Sequence, residues 1–318
     1  RVGGVRPMPL GHYWAGHVLA RWGTTPRPER LGLLAALAPA YDELVLASDG
    51  GEQLREALHA TPLVEAAGWG GGRLFAAAEL CDPAVPFFQA FAADALPHEE
   101  YRSPELLTLL RKAGMARQPS EETFLRCAGE VSARAAGLAA DSQGEDAADC
   151  RKRARALLHY LATNAAELGL AGRGRGDPFF DALAGMRLAE PRVAPFGGAG
   201  RAALRGRAAA HAGSVLAPLG ACTAAEHFDL CWSQAPAMRY SSYLPVSIRA
   251  ALGVRPPGPR DVASHLAVLA ESSGAMAAAD TSGLLSRQLA AVYSFLGFDV
   301  EPGDAELEAL RGRRVVAL

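Results

Sequence analysis

The chain has 318 residues, half of them hydrophobic, with 32 basic and 34 acidic side chains. That length is enough for about two domains with sizeable cores. The near-neutral charge argues against a dedicated nucleic-acid-binding protein, which would carry a basic surface. No apolar run reaches the roughly 18 residues that a transmembrane helix needs, so we expect neither a nucleic-acid nor a membrane partner.

The five cysteines are scattered and lack the CxxC spacing of a zinc or redox site. We therefore expect reduced thiols in a cytoplasmic protein rather than a disulfide framework, and no secretory signal peptide. The chain begins with Arg1 and ends in Val-Val-Ala-Leu, a pattern typical of a strand that is cut short. Both ends favour a fragment of a longer protein.

The first recognisable pattern in chain order is a helix followed by a short strand. Residues 1–52 are predicted to be the helical tail of a preceding unit. The next helix presents Leu54 and Leu58 on one face. Pro62 then ends that helix, because proline lacks the amide that a helix interior needs, and Leu63 can enter a short strand.

The same spacing of apolar residues returns later in the chain. Phe179, Leu183 and Leu188 repeat the steps of four and five residues. A third and weaker copy starts at Glu306, where an apolar residue is expected, and ends at Val315. The starting positions 54, 179 and 306 lie 125 and 127 residues apart, which predicts a repeat of about one domain length.

This repeat leads to a prediction of fold class and domain organisation. We expect an α+β fold that is predominantly helical, with short β-strands or hairpins, built as a repeat-derived module. Residues 53–176 would form the first repeat-like half and residues 177–304 the second half. Residues 305–318 would be the truncated start of a further unit.

Two further segments predict helix–turn–helix corners. In the first, Ser103 can cap a helix, Gly114 suits a left-handed C-cap and Ser120 can cap the next helix. In the second, Gly253 closes one helix and Gly258 takes the cap position of the next. Repeated corners are more typical of an array than of an enzyme with one site.

We assign no catalytic, cofactor-binding or metal-binding residue from the sequence. No GxSxG elbow occurs, and His12 and His17 are five residues apart rather than the four that a helical metal pair favours. The run GGAGRAALRG at residues 197–206 lacks the Lys-Ser or Lys-Thr of a P-loop. The alternative hypothesis is an unrelated helical enzyme that holds a phosphorylated ligand in the loop from Gly197 to Gly200.

A cluster of aromatic residues is the one candidate for a contact surface. Phe87, Phe88 and Phe91 are close enough in sequence to line one helix face, and Trp69 lies just upstream. Core packing is the simpler interpretation. The functional interpretation is an exposed groove that binds apolar segments of another protein.

Two stretches of the first half resemble short sequence motifs, here called phrases, of sacsin-type proteins. Residues 61–91, TPLVEAAGWGGGRLFAAAELCDPAVPFFQAF, carry a short strand, a glycine turn and a Leu-x-Asp-Pro step, with Cys81 in place of the usual aromatic residue. Residues 101–125, YRSPELLTLLRKAGMARQPSEETFL, are similar to the family's Arg-Ser-Pro-Glu step, with Leu106 where tryptophan is common. The matching positions are Leu63, Val64, Leu80, Asp82, Pro83, Tyr101, Arg102, Ser103, Pro104, Glu105, Leu110, Arg111 and Gly114.

Two stretches of the second half extend this resemblance. Residues 228–236, FDLCWSQAP, are similar to the family's Asp-Leu-x-Trp phrase. Residues 243–269, YLPVSIRAALGVRPPGPRDVASHLAVL, resemble its Leu-Gly-Val and Asp-Val-x-x-His-Leu phrases. The phrases follow the family's order over residues 53–318. The matching positions of the last stretch are Pro245, Leu252, Gly253, Val254, Asp261, Val262, His265 and Leu266.

The resemblance implies a function that the residues alone do not. Sacsin-type proteins are very large cytoplasmic chaperone-like chains, in which an ATPase-like domain of the GHKL type precedes a mostly helical region. This chain resembles that helical region and lacks the ATPase motifs and the His-Pro-Asp tripeptide of a J-domain. It is thus expected to be a non-enzymatic scaffold of a chaperone or co-chaperone, without cofactor, whose partners are client polypeptides, other chaperones and neighbouring repeats.

Overall fold

The chain forms two compact units, residues 1–120 and residues 121–318. Both are mostly helical with short paired strands, which confirms the predicted α+β class. Across the described ranges, no helix is long and apolar enough to cross a membrane. The computed structural model describes residues 8–47, 50–67, 73–139, 142–192, 215–279 and 284–298.

The first unit combines helices with one β-hairpin. Strands β1 (Pro62–Glu65) and β2 (Leu74–Ala76) pair antiparallel. A π-helix (Trp14–Val18) and four 3-10 helices (Leu19–Thr24, Ala77–Glu79, Ala93–Ala95 and Glu99–Tyr101) link the longer elements. The α-helices are α1 (Leu10–Tyr13), α2 (Arg27–Ala47), α3 (Gly51–Ala60), α4 (Pro86–Phe91) and α5 (Pro104–Lys112).

The second unit has a similar element order. Strands β3 (Arg187–Ala189) and β4 (Ala217–Pro218) pair antiparallel, and β5 (Thr223–Ala224) pairs parallel with β6 (Ala237–Met238). Its 3-10 helices include Leu219–Ala221, Ala225–His227 and Ser241–Tyr243. The α-helices are α6 (Glu121–Ala136), α7 (Glu145–Asn164), α8 (Pro178–Ala184), α9 (Phe228–Cys231), α10 (Val246–Ala251), α11 (Pro259–Ala279) and α12 (Leu284–Phe298).

The two units divide between Ser120 and Glu121, which is not one of the boundaries predicted from the sequence. The boundary between two compact units lies where few contacts cross it, whereas the start of a repeat can be counted from any element. The halves 53–176 and 177–304 therefore stay a prediction about the repeat. The predicted third unit at residues 305–318 lies outside the described residues.

The helix-then-strand pattern occurs in both units. Helix α3 is followed by β1, with Pro62 as the first residue of the strand, and α8 is followed by β3. The apolar side chains that carry the pattern all enter the core, where removal from water stabilises the fold. They are Leu54, Leu58, Leu63, Phe179, Leu183 and Leu188, none of them more than 3% exposed.

The antiparallel strand pair of each unit, β1 with β2 and β3 with β4, is followed by the same tight turn. The 3-10 helix Ala77–Glu79 follows β2, and the 3-10 helix Leu219–Ala221 follows β4. In each turn the first residue after the 3-10 helix, Leu80 or Cys222, donates its amide to a carbonyl three residues earlier. The chain then makes a parallel bridge to a corner, Cys81 to Ala116 in the first unit and Thr223 to Arg255 in the second.

The two predicted glycine corners are confirmed. Gly114 and Gly253 have φ values of 110° and 77°, a left-handed conformation that favours glycine because it has no Cβ. In the first corner the Met115 amide donates to the Leu110 carbonyl at 2.9 Å, and the Val254 amide makes the equivalent bond in the second. These bonds satisfy carbonyls that the helix ends would otherwise leave unpaired.

The core of the first unit ties its N-terminal segment to the hairpin. Trp22 is 1% exposed, and its indole N–H donates to the Leu63 carbonyl at 2.7 Å. An indole buried in this way needs a partner for its polar N–H. The Leu63 carbonyl supplies that partner, so the tryptophan fixes strand β1 against the preceding helical segment.

Candidate functional site

The predicted aromatic contact surface is corrected by the structure. Phe87, Phe88 and Phe91 are 3%, 1% and 6% exposed, and Phe87 packs with its ring centre 5.8 Å from Phe88 and 5.0 Å from Phe91. These rings belong to the core because helix α4 turns them inward, and they cannot touch a partner without leaving it. Trp69 lies outside the described residues.

The alternative phosphate loop from Gly197 to Gly200 lies outside the described residues. Among the residues that the structure covers, no group of three or more His, Cys, Asp or Glu is placed to hold a metal ion. Gly50 is the N-cap residue of helix α3 and has a φ of 101°.

All five cysteines are buried, and none of them forms a disulfide bond. Burial raises the pKa of the Cys222 thiol to about 12 and that of Cys231 to about 11. The reactive form of cysteine is the thiolate. At neutral pH these two side chains are therefore protonated core residues rather than nucleophiles.

A buried serine–histidine pair joins two of the phrases that carry the sequence resemblance. The Oγ of Ser233 lies 2.7 Å from the Nδ1 of His265, and the Trp232 ring meets the imidazole edge-on at 5.2 Å. Such a pair can activate a nucleophile where a substrate reaches it. Here Ser233 is 3% and His265 0% exposed, so the pair holds helix α11 against the segment after α9.

The burial of His265 predicts a pH-dependent stability of the second unit. Burial lowers the pKa of His265 to about 4, against a smaller opposing effect of the Asp229 backbone. The unfolded chain takes up this proton near pH 6.5. The free energy of unfolding of the second unit therefore keeps the full contribution of neutral His265 above pH 6.5. It falls by about 3 kcal/mol as the pH is lowered to about 4, because the unfolded chain binds the proton more tightly.

We expect urea unfolding of the full chain to show this loss of stability. Hydrogen exchange measured in helices α9 and α11 assigns the loss to the second unit. His265→Gln is the matched control, because glutamine can accept the Ser233 hydrogen bond but does not titrate. The variant should lose less stability than the wild type between pH 6.5 and pH 4. Equal losses in the two proteins would show that His265 is not the titrating group.

A similar contact between sequence phrases occurs in the first unit. Arg111 donates from Nε and Nη2 to the two carboxylate oxygens of Asp82, at 2.6 and 3.0 Å. These hydrogen bonds are the main cause that lowers the pKa of Asp82. Asp82 is 4% exposed, so this pair fixes helix α5 to the turn after β2 rather than facing a ligand.

A recess in the second unit gathers arginine and tyrosine side chains. Helix α7 supplies Arg151 and Arg155, which lie about one turn apart, and Glu190 directly follows β3. Its enclosed volume is about 10 Å³, about the size of one water molecule. The remaining lining residues are Leu158, Leu188, Met238, Tyr240 and Tyr243.

The carboxylate of Glu190 in this recess pairs with two arginines. Arg155 and Arg239 donate to the two oxygens of Glu190, each at 3.0 Å. The Tyr240 ring lies 4.5 Å from the Arg155 guanidinium carbon and 5.4 Å from that of Arg239. Tyr240 also stacks on Tyr243, with ring centres 5.5 Å apart. The aromatic faces and the carboxylate together hold both guanidinium groups in place.

The first unit has a buried version of this cluster. Arg30 donates to Glu65 at 2.9 Å, and Arg27 lies 3.3 Å from the other oxygen of Glu65 and 2.9 Å from Glu100. Tyr101 is fully buried beside these charges. Burial is the main cause that raises the pKa of Tyr101, and the nearby Arg30 opposes it.

The two clusters occupy equivalent places in the repeat. Arg30 precedes Glu65 by 35 residues, and Arg155 precedes Glu190 by 35 residues. A shift of 125 residues, the interval of the predicted repeat, relates the two pairs. Sequence interpretation missed both pairs because it followed apolar residues only, although the same interval applied to charged residues would have found them.

No family model, curated protein or solved structure matches this chain. The resemblance to sacsin-type proteins therefore stays a prediction drawn from the sequence phrases. The most exposed arrangement of charged and aromatic side chains described above is the recess around Glu190, so it is the candidate functional site.

Proposed function

We propose that this chain is a non-enzymatic scaffold, a repeat segment of a sacsin-like molecular chaperone or co-chaperone. It would contribute to protein folding or protein quality control through protein–protein contacts. The observation that carries the proposal is internal repetition, since both units place a helix, an antiparallel strand pair, a tight turn and a glycine corner in the same order. Stacked repeats of this kind typically present extended binding surfaces.

The packing at the corners supports this proposal. A Cβ built on Gly114 would lie 3.0 Å from the His59 ring and 3.8 Å from the Ala78 side chain. The corner, the end of helix α3 and the turn after β2 thus converge in the first unit. The same three elements converge in the second unit at Gly253, Ala184 and Gly220.

The chemistry of the described side chains also supports a scaffold. The contacts between phrases, Asp82 with Arg111 and Ser233 with His265, are interior contacts that position helices. The recess around Glu190 encloses about 10 Å³, whereas pockets for small molecules typically enclose roughly 300–1,000 Å³. We propose client polypeptides, other chaperones and neighbouring repeats as partners, and the cytoplasm as the location.

The proposal is tested by light scattering with an aggregation-prone model client and no added nucleotide. We expect the chain to suppress aggregation in proportion to its concentration, while serum albumin at the same concentration does not. A pull-down with a segment that carries a neighbouring repeat tests the scaffold contact. If the chain neither suppresses aggregation nor retains that segment, the proposal is wrong.

A further inference from the structure

The two arginine clusters differ in their balance of charge. In the first unit two guanidinium groups face two carboxylates, because Arg27 contacts Glu100 in addition to Glu65. In the second unit, Arg155 and Arg239 share the single carboxylate of Glu190 as far as the described residues show. The recess therefore has an excess of positive charge that its counterpart lacks.

The missing carboxylate can be traced to one short helix. Glu100 lies in the 3-10 helix Glu99–Tyr101, and the corresponding 3-10 helix Ser241–Tyr243 contains no acidic residue. Serine carries no charge, so it cannot replace the glutamate. Glu226 accepts a hydrogen bond from Ser241 of this helix at 3.3 Å, but it pairs with Arg249 at 2.7 Å, and no described contact joins it to Arg155 or Arg239.

The cluster of the second unit is also open to solvent. The side chains of Arg155 and Arg239 are 46% and 56% exposed, whereas that of Arg30 is 8% exposed. Tyr243 is 55% exposed, but its counterpart Tyr101 is fully buried. A polar group of another molecule can therefore approach the two guanidinium groups next to the Tyr240 and Tyr243 rings.

We infer that this recess binds a carboxylate side chain of an acidic polypeptide segment of a partner protein. The carboxylate takes the role that Glu100 has in the first unit, and it accepts hydrogen bonds from Arg155 and Arg239. Arginine suits this task because its planar group can donate two parallel hydrogen bonds to a carboxylate. Tyr240 and Tyr243 provide a rigid amphipathic surface for the rest of the segment.

The size of the recess restricts how the segment binds. The enclosed volume of about 10 Å³ has no room for a deeply buried ligand, so the carboxylate binds at the rim. Arg151, which also lines the recess and donates to the Ser142 carbonyl at 3.1 Å, adds positive charge along the same helix. This inference goes beyond the proposed scaffold role and does not depend on it.

The test uses the full chain and two labelled peptides, hexaglutamate and hexaglutamine, with binding followed by fluorescence anisotropy. We expect hexaglutamate to bind and hexaglutamine not to bind. Arg155→Gln should weaken hexaglutamate binding about tenfold, because a hydrogen bond to a charged group is lost. Equal binding of the two peptides would overturn the inference, since a carboxylate would then not be required.

Two further variants separate the recess from general charge attraction. Ser242→Glu places a carboxylate on the 3-10 helix Ser241–Tyr243, beside the recess residue Tyr243, so it should compete with the peptide and abolish binding. Arg126→Gln removes an exposed arginine that pairs with Glu130 on helix α6 and does not line the recess, so binding should be unchanged. If Arg126→Gln weakens binding as much as Arg155→Gln, the attraction is non-specific and the recess is not the site.

Discussion

Replacing Glu65 with alanine is expected to destabilise the first unit by about 3 kcal/mol. The side chains of Arg30 and Glu65 are 8% and 11% exposed, so the variant leaves a buried guanidinium without its ion-pair partner. A buried charge that loses its partner costs more free energy than the intact pair contributes. Urea unfolding of the full chain, with hydrogen exchange followed in α2 and β1, measures this loss.

Glu190→Ala is the matched control because it breaks the equivalent pair in the second unit. Arg155 and Arg239 are about half exposed, so water screens the charges that the variant leaves behind. We expect a loss of at most about 1 kcal/mol, the usual range for ion pairs at the surface. Losses of equal size at both sites would show that burial does not determine the cost.

The parts of the fold that the sequence predicts correctly depend on short-range patterns. The helix before β1 is marked by Leu54 and Leu58, and its end is marked by Pro62, all within ten residues. Gly114 marks the first corner because its left-handed conformation is a local requirement. Such features need no knowledge of what lies on the other side of the core.

The features that the sequence does not predict depend on distant contacts. The spacing of Phe87, Phe88 and Phe91 is compatible with a core face or with an exposed groove, and only the packed structure shows which face is covered. The ion pairs of Glu65 and Glu190 join residues 35 positions apart. Alanine-rich helices weaken the apolar pattern further, because alanine fits both the core and the surface.

The two units agree in their backbone features and differ in side chains at polar positions. Glycines, tight turns and apolar positions keep the element order in both units. Polar positions differ, since the 3-10 helix that contains Glu100 and the buried Tyr101 corresponds to one that contains Ser242 and the exposed Tyr243. A change at an exposed polar position such as Ser242 costs little stability, so the side chain there can differ between the units while the backbone order stays the same.

Replacing Gly51 with alanine should also destabilise the first unit by about 3 kcal/mol, the upper end for overpacking of a core. A Cβ at this position would overlap the carbonyl oxygen of Val45 and lie 2.8 Å from its carbonyl carbon. Both contacts are with backbone, so no side-chain rotation can relieve them. Helix α3 would have to move away from α2, which disturbs the buried Leu54 and Leu58.

Gly32→Ala is the matched control for this prediction. Gly32 lies inside helix α2, and a Cβ built there meets nothing within 4 Å. Alanine is a better helix former than glycine, so this variant should gain about 0.5–1 kcal/mol of stability. Thermal unfolding of the two variants beside the wild type should therefore move Tm in opposite directions. A Gly51→Ala protein with unchanged Tm would mean that α2 and α3 are not as closely packed as the Val45 contact requires.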